Sequence, residues 1–291
     1  MANLTGLRAR GDHNGDREND GDRGGNGGAH GRGGGAVGGG LPGAVAAEWT
    51  KLWSLRSTWW ALFAAFGVMG LMSAILATST ASNNTNAITT DDQGVVQVSG
   101  IAVGATDLVQ FVLIALAILM ITGEYATGSI RTTLQWVPLR DRMLAAKAAV
   151  TAAVMLPAGV ALGVLGTAVA EPLLGRWGRL SAGDAVADVL AVGVYLALTC
   201  VFILGVGTVL RSTAGALTTA FLLLMAVPML LVNSSVKALG YVADALPSTA
   251  GRHFMAGEGG PYPPAVGLLI LAAWAVASLA LGTVVLRRRD A

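Results

Sequence analysis

The sequence predicts an all-α integral membrane protein: six transmembrane helices, a short interfacial helix before the first, and both termini on the cytoplasmic side. Three observations lead there. Only 12% of the residues are charged and 54% are apolar, whereas a soluble domain has about a quarter of its residues charged. Six apolar runs, roughly 59–78, 103–122, 148–170, 186–209, 214–232 and 265–286, are each about 20 residues long, which matches the hydrocarbon thickness at about 1.5 Å rise per residue. Lysine and arginine are also shared unequally between alternate connections.

Residues 1–43 form a glycine-rich tail in which Arg8, Arg10, Arg17, Arg23 and Arg32 balance Asp12, Asp16, Glu18, Asp20 and Asp22. Such a segment buries too little apolar surface to offset its ordering entropy, so disorder is expected. It has no continuous apolar stretch of the signal-peptide kind. No strand precedes its glycines and no Gly-Lys-Ser/Thr follows, so it is not a phosphate loop. Residues 44–291 are expected to form the membrane domain.

The elbow comes next, AVAAEWTKLWSLRST over 44–58. Helical spacing puts Val45, Trp49, Leu52 and Trp53 on one face, with Glu48, Thr50, Lys51, Ser54 and Thr58 on the other. Tryptophans opposite a lysine suit the headgroup layer, so this helix is expected to lie in the interface rather than serve only as the aromatic belt of the first span. Arg56 falls on the apolar side and is expected to snorkel.

Among the spans, the third carries Pro157, tolerable where neighbouring helices repair the backbone. The fourth and fifth are separated only by Leu210 to Thr213 and are expected to form a tight hairpin. Lys51, Arg56, Arg131, Arg140, Arg142, Lys147, Arg211, Arg287, Arg288 and Arg289 fall on one side, ten in all; Arg176, Arg179, Lys237 and Arg252 fall on the other. The positive-inside rule then puts both termini in the cytoplasm of a plasma-membrane protein.

That orientation makes 123–147, GEYATGSIRTTLQWVPLRDRMLAAK, a cytoplasmic loop. Ile130, Leu134 and Val137 recur at steps of four and three, which predicts a short amphipathic helix stopped by Pro138. Thr127, Gly128 and Ser129 supply breaker and cap chemistry before it. A loop of this kind suits docking by another protein. The plainer roles here are a Glu124–Arg131 ion pair, phospholipid anchoring by Arg140 and Arg142, an interfacial Trp136, and a snorkelling Lys147. On the other side, loop 233–264 carries an apolar stripe (Val236, Leu239, Val242, Leu246) that predicts a short helix dipping against the bundle.

Several function classes are disfavoured. Ionisable residues cluster at span ends, with Asp107 and Asp188 both shallow, so the bundle centre offers no ion relay for a secondary transporter. Neither HExxH nor GxSxG occurs, and GxxxxGK[ST] is absent, so no catalysis is expected of this chain. His13, His30 and His253 lack metal-ligand spacing, Cys200 has no partner for a disulfide, and no basic and aromatic stripe suggests nucleic acid. Met69, Met72, Met225 and Met229 are expected to face lipid or pack the bundle.

The chain resembles an ABC transporter permease of the type-2 exporter family. The match lies in the elbow EWTKLWSLRSTWW (Glu48–Trp60), the loop GEYATGSIRTTLQWVPLRDRMLAAK, and the last span running into VVLRRRDA; it covers about 44–291. The resemblance implies that loop 123–147 is a coupling segment docking on a separate nucleotide-binding ATPase subunit. Glu124 would stand at the end of the second span, with Gly128, Ile130, Arg131, Leu134 and Val137 in the docking segment. It also implies a dimer with a second permease copy or a paralogue, ATP and Mg held by the partner subunit, and a substrate path between the permeases. The rival expectation is a membrane protein without transport activity, such as an immunity or assembly factor, that recruits a cytoplasmic partner through the same loop.

Overall fold

The computed structural model describes residues 40–86, 92–127, 140–232, 236–257 and 260–288. All of them belong to one unit, Gly38–Ala291, while a first unit, Met1–Val37, lies outside the described residues. Six helices are long and apolar enough to cross a membrane, at the positions the apolar runs predict.

Helix α1 (Leu41–Ser54) starts with Pro42 in its first turn, where a missing N–H costs nothing. The chain straightens at Leu55 (ψ 123°) and α2 (Arg56–Thr85) begins. The Thr58 hydroxyl donates to the Leu52 carbonyl across this joint at 2.8 Å and fixes the bend. Thr58 is therefore buried and not on an outward polar face. Trp59, Trp60 and Phe63 of α2 stay exposed, as expected of a helix solvated by lipid.

Helix α3 (Val98–Thr127) follows a two-residue strand β1 (Val96–Gln97). Helix α4 (Arg140–Leu174) holds Pro157 and Pro172 in its interior, and β2 (Gly178–Arg179) pairs in parallel with β1. This pair is the one departure from an all-α chain among the described residues. It ties the start of α3 to the end of α4, beside a Trp177 Nε1 bond to Thr85 Oγ1 at 3.2 Å.

Helix α5 (Ala182–Leu210) is the axis of the bundle: Val192, Tyr195, Cys200, Phe202, Ile203 and Leu204 are all buried. A helix apolar all round is one that neighbours surround. It meets α4 through glycine. A Cβ on Gly159 would stand 2.8 Å from Gly193 Cα, and one on Gly193 would stand 2.9 Å from the Leu156 carbonyl. Small residues of this kind let membrane helices approach backbone to backbone.

Arg211 closes α5 in the left-handed conformation (φ 54°), and Ser212 caps the next helix by accepting from Gly215 N at 3.2 Å. Two residues thus make the hairpin between the fourth and fifth spans. The fifth span is not one regular helix. It comprises α6 (Thr213–Phe221), a π-helical turn (Leu222–Ala226) and α7 (Val227–Val232).

After it come α8 (Lys237–Asp244) and α9 (Pro247–Met255), then the last span α10 (Pro264–Arg288). A helix dipping against the bundle is present here, but it is α9 and not the apolar stripe. Val236, Leu239 and Val242 are exposed, with only Leu246 buried. Ser248, Thr249, Ala250 and Gly251 are buried in their place, with α9 seated against α5 and α10 so closely at Gly251 that even a methyl group would not fit.

Candidate functional site

The end of the bundle that carries α1 and the end of α10 holds a cluster of four charges. Glu48 and Lys51 come from α1, Glu124 from the last turn of α3, and Lys147 from the third turn of α4. Lys147 is 0% exposed, and its Nζ lies 2.6 Å from Glu48 Oε2 and 2.6 Å from Glu124 Oε1. Lys51 donates to the same Glu124 oxygen from the half-exposed side. Two carboxylates and two ammonium groups leave the cluster neutral, which is the condition for keeping ions out of water. Glu124 is 3% exposed, and its Oε2 has no hydrogen-bond partner among the described residues.

Local sequence explains the geometry. Ala44, Glu48 and Leu52 recur every four residues, so they share one stripe of α1, and that stripe packs along α4. Leu52 is buried against Val150 and Val154, one and two turns beyond Lys147 on α4. The apolar contact sets the register, and Glu48 one turn earlier then meets Lys147. Glu48 is therefore buried, which corrects its expected place on the outward face. Lys147 does not snorkel: about seven residues into α4, or roughly 10 Å, it finds its partners inside the protein.

Further contacts surround the cluster. Arg287, in the last turn of α10, bonds Asp141 at the start of α4 with two donors, its Nε at 2.9 Å from Oδ1. The Arg211 guanidinium lies over the Tyr125 ring, 5.0 Å from its centroid. Thr213 Oγ1 donates to Thr122 Oγ1 at 2.8 Å. Every contact falls on one of two stems, the end of α3 or the beginning of α4. Between them lies 128–139.

The other elbow residues divide as follows. Trp49 is exposed and meets Trp53 edge-on at 5.9 Å, and Trp53 in turn contacts Trp59 at 5.1 Å. Arg56 is exposed. Lys51 and Leu52 turn toward the protein. Of the predicted docking residues only Glu124 is described; Gly128, Ile130, Arg131, Leu134, Val137 and the Pro138 stop lie outside the described residues. Glu124 pairs with Lys147 and Lys51. Asp141–Arg287 was missed because no local spacing links positions 146 residues apart.

No protein-family model matches this chain, and no curated protein matches it. The functional assignment therefore rests on its own residues and their geometry.

Proposed function

We propose that this chain is the membrane-spanning subunit of an ATP-driven exporter in the plasma membrane, with both termini in the cytoplasm. It works beside a second copy or a similar permease. A separate ATPase subunit, which holds ATP and Mg, docks on 123–147. The chain itself hydrolyses nothing. What supports this reading above all is the double clamp on the stems of 128–139. One stem is held through Glu124 to Lys147 and Lys51, the other through Lys147 to Glu48 and through Asp141 to Arg287. A push on the segment between them would be felt at α1 through the buried Glu124–Lys147–Glu48 pairs and at α10 through the exposed Asp141–Arg287 pair, because buried ion pairs and packed helices shift as units rather than deform.

The orientation is tested by cysteine labelling in a Cys200-free background. A cysteine at position 135 should react with an impermeant reagent only once the cytoplasmic face is opened. Reaction from the outside in intact cells would reverse the topology and remove the reading.

The coupling role is tested by two replacements that should fail differently. Leu134→Asp should leave membrane insertion intact but abolish co-purification of a P-loop ATPase, since a central apolar anchor is worth about 2 kcal/mol or more and the carboxylate adds a desolvation cost. Glu124→Ala should retain some docking while export falls, because the α3 stem loses its tie to α1 and α4. Two variants that assemble and export like the parent would reduce 128–139 to a tether. Nucleotide hydrolysis by the chain alone would overturn the reading altogether.

A further inference from the structure

At the opposite end of the bundle from the ion cluster, a cleft of about 420 Å³ opens between α3, the irregular fifth span and α9. Each wall contributes something different. On α3, Gln110 accepts a hydrogen bond from the Tyr195 hydroxyl at 2.6 Å and donates to the Asp107 carbonyl at 2.9 Å, so this wall is held rigidly from behind. The fifth span presents Leu224 and Met225 from its π-helical turn, and Pro228 just after it. A π-helical turn inserts an extra residue per turn, and such turns occur often at functional sites. The third wall, α9, supplies Ser248 and Arg252.

The polar groups of the cleft are incompletely used. Arg252 Nη1 stands 3.6 Å from Asp107 Oδ2, beyond hydrogen-bond length. Neither charged group makes a closer bond to any other described residue, so both keep hydrogen-bonding capacity for a third party. Ser248 is 3% exposed, and its Oγ has no hydrogen-bond partner among the described residues. An orphaned hydroxyl of this kind is costly, and a bound acceptor or donor removes the cost.

The apolar side points to where a ligand comes from. Leu108, Met225 and Met229 line the cleft and are exposed, and all three stand on helices long and apolar enough to cross a membrane, where acyl chains would be their apolar neighbours. Methionine adapts to varied apolar shapes. We propose that this cleft binds a zwitterionic amphiphile, its amine on Asp107, its anionic group on Arg252 and Ser248, and its tail along the methionines. A purely anionic head would be repelled by Asp107, and a purely cationic one by Arg252, so only a head with both charges satisfies the pair.

The binding site stands on the cleft alone and holds with or without a partner ATPase; that the bound amphiphile is the exported cargo rests on the proposed function. The two are tested apart. The purified chain, in nanodiscs of phosphatidylglycerol, is labelled with photoreactive probes that share one diazirine-bearing tail and differ in head: phosphoethanolamine, carboxylate or primary amine. The phosphoethanolamine probe should label segment 222–232 most strongly. Asp107→Asn and Arg252→Gln should each lower that labelling about tenfold, the loss expected for one charge-assisted contact.

Equal labelling by all three heads, labelling that maps elsewhere, or a response to only one of the two charge variants would overturn the assignment. Should either charge variant fail to fold, Met225→Trp fills the apolar wall without touching the charges. Loss of phosphoethanolamine labelling then supports the cleft, and retention overturns it. Labelling as expected in a chain that never recruits an ATPase would leave the site standing and remove the exporter reading.

Discussion

Lys147→Met is expected to lower the stability of the folded chain by about 3–5 kcal/mol, the usual consequence of removing one partner from a buried ion pair. The size follows from what stays behind. Glu48 and Glu124 are both almost wholly buried, and both direct an oxygen at the position the ammonium occupies. Methionine fills much of the volume but offers no donor. Lys51 continues to serve Glu124 from its half-exposed position, so Glu48 bears most of the loss. Unfolding in detergent, followed by tryptophan fluorescence, reads the change. Replacing the whole set (Glu48→Gln, Lys147→Met, Glu124→Gln) should recover most of the stability, because buried ion networks exchanged for neutral, well-packed groups are often neutral or better. Under the proposed exporter role, a stable triple variant that co-purifies with a P-loop ATPase but no longer exports would place the cluster in coupling. An unchanged unfolding midpoint for Lys147→Met would show that the cluster does not hold the stems at all.

How much of this was legible in the sequence depends on the range of the signal. The six spans are one-dimensional facts: runs of about 20 apolar residues have a single low-cost solution in a bilayer, and the structure has helices at each run. The Arg211–Ser212 hairpin was equally local. Glu48 shows where local reasoning misled. Its wheel position next to Lys51 and Thr50 suggested an outward face, but the face that α1 turns to α4 is chosen by Leu52 meeting Val150 and Val154, a contact across about a hundred residues. Once that is fixed, Glu48 is turned inward and left only 7% exposed. The charges were visible and their signs balanced; what the sequence lacked was the pairing.

The far end of the bundle carries the complementary lesson. The stripe Val236, Leu239, Val242 looked like the packing face because periodicity weighs hydrophobicity, and in a lipid-facing position hydrophobicity does not distinguish packing from solvation. The packed helix α9 has the polar sequence PSTAGRHFM. Size decided the outcome: Gly251 leaves no room for a Cβ against Tyr195 on one side and the Ala250 backbone meets Gly267 on another, so this short polar helix seats at a depth that larger side chains at those contacts would prevent. In membranes, where lipid removes most of the hydrophobic drive between helices, close approach by small residues is the stronger indicator of contact. Met225 and Met229, expected only to face lipid or pack, likewise acquire a surface to share once α9 is seated beside them.

Gly251→Ala and Gly240→Ala are expected to shift stability in opposite directions. Both glycines sit in short helices of the same connection, and alanine is the better helix former by up to about 1 kcal/mol. At Gly240 nothing lies within 4 Å of the added Cβ, so the propensity gain, with the reduced freedom of the unfolded chain, should appear as a small stabilisation. At Gly251 the same methyl would stand 2.2 Å and 2.4 Å from two ring carbons of Tyr195. That ring cannot turn aside, because Tyr195 is fully buried and its hydroxyl is held by Gln110 at 2.6 Å. Nor can α9 back away freely: behind it the Ala250 carbonyl lies 2.5 Å from where a Cβ on Gly267 would be, so that approach to α10 is already at its limit. Overpacking of this kind costs about 1–3 kcal/mol, enough to outweigh the propensity gain. The displacement would move Ser248 and Arg252 with α9, so labelling of the cleft by the phosphoethanolamine probe should fall in Gly251→Ala and persist in Gly240→Ala. If the two variants unfold alike and label alike, α9 is not wedged between α5 and α10, and the cleft loses its third wall.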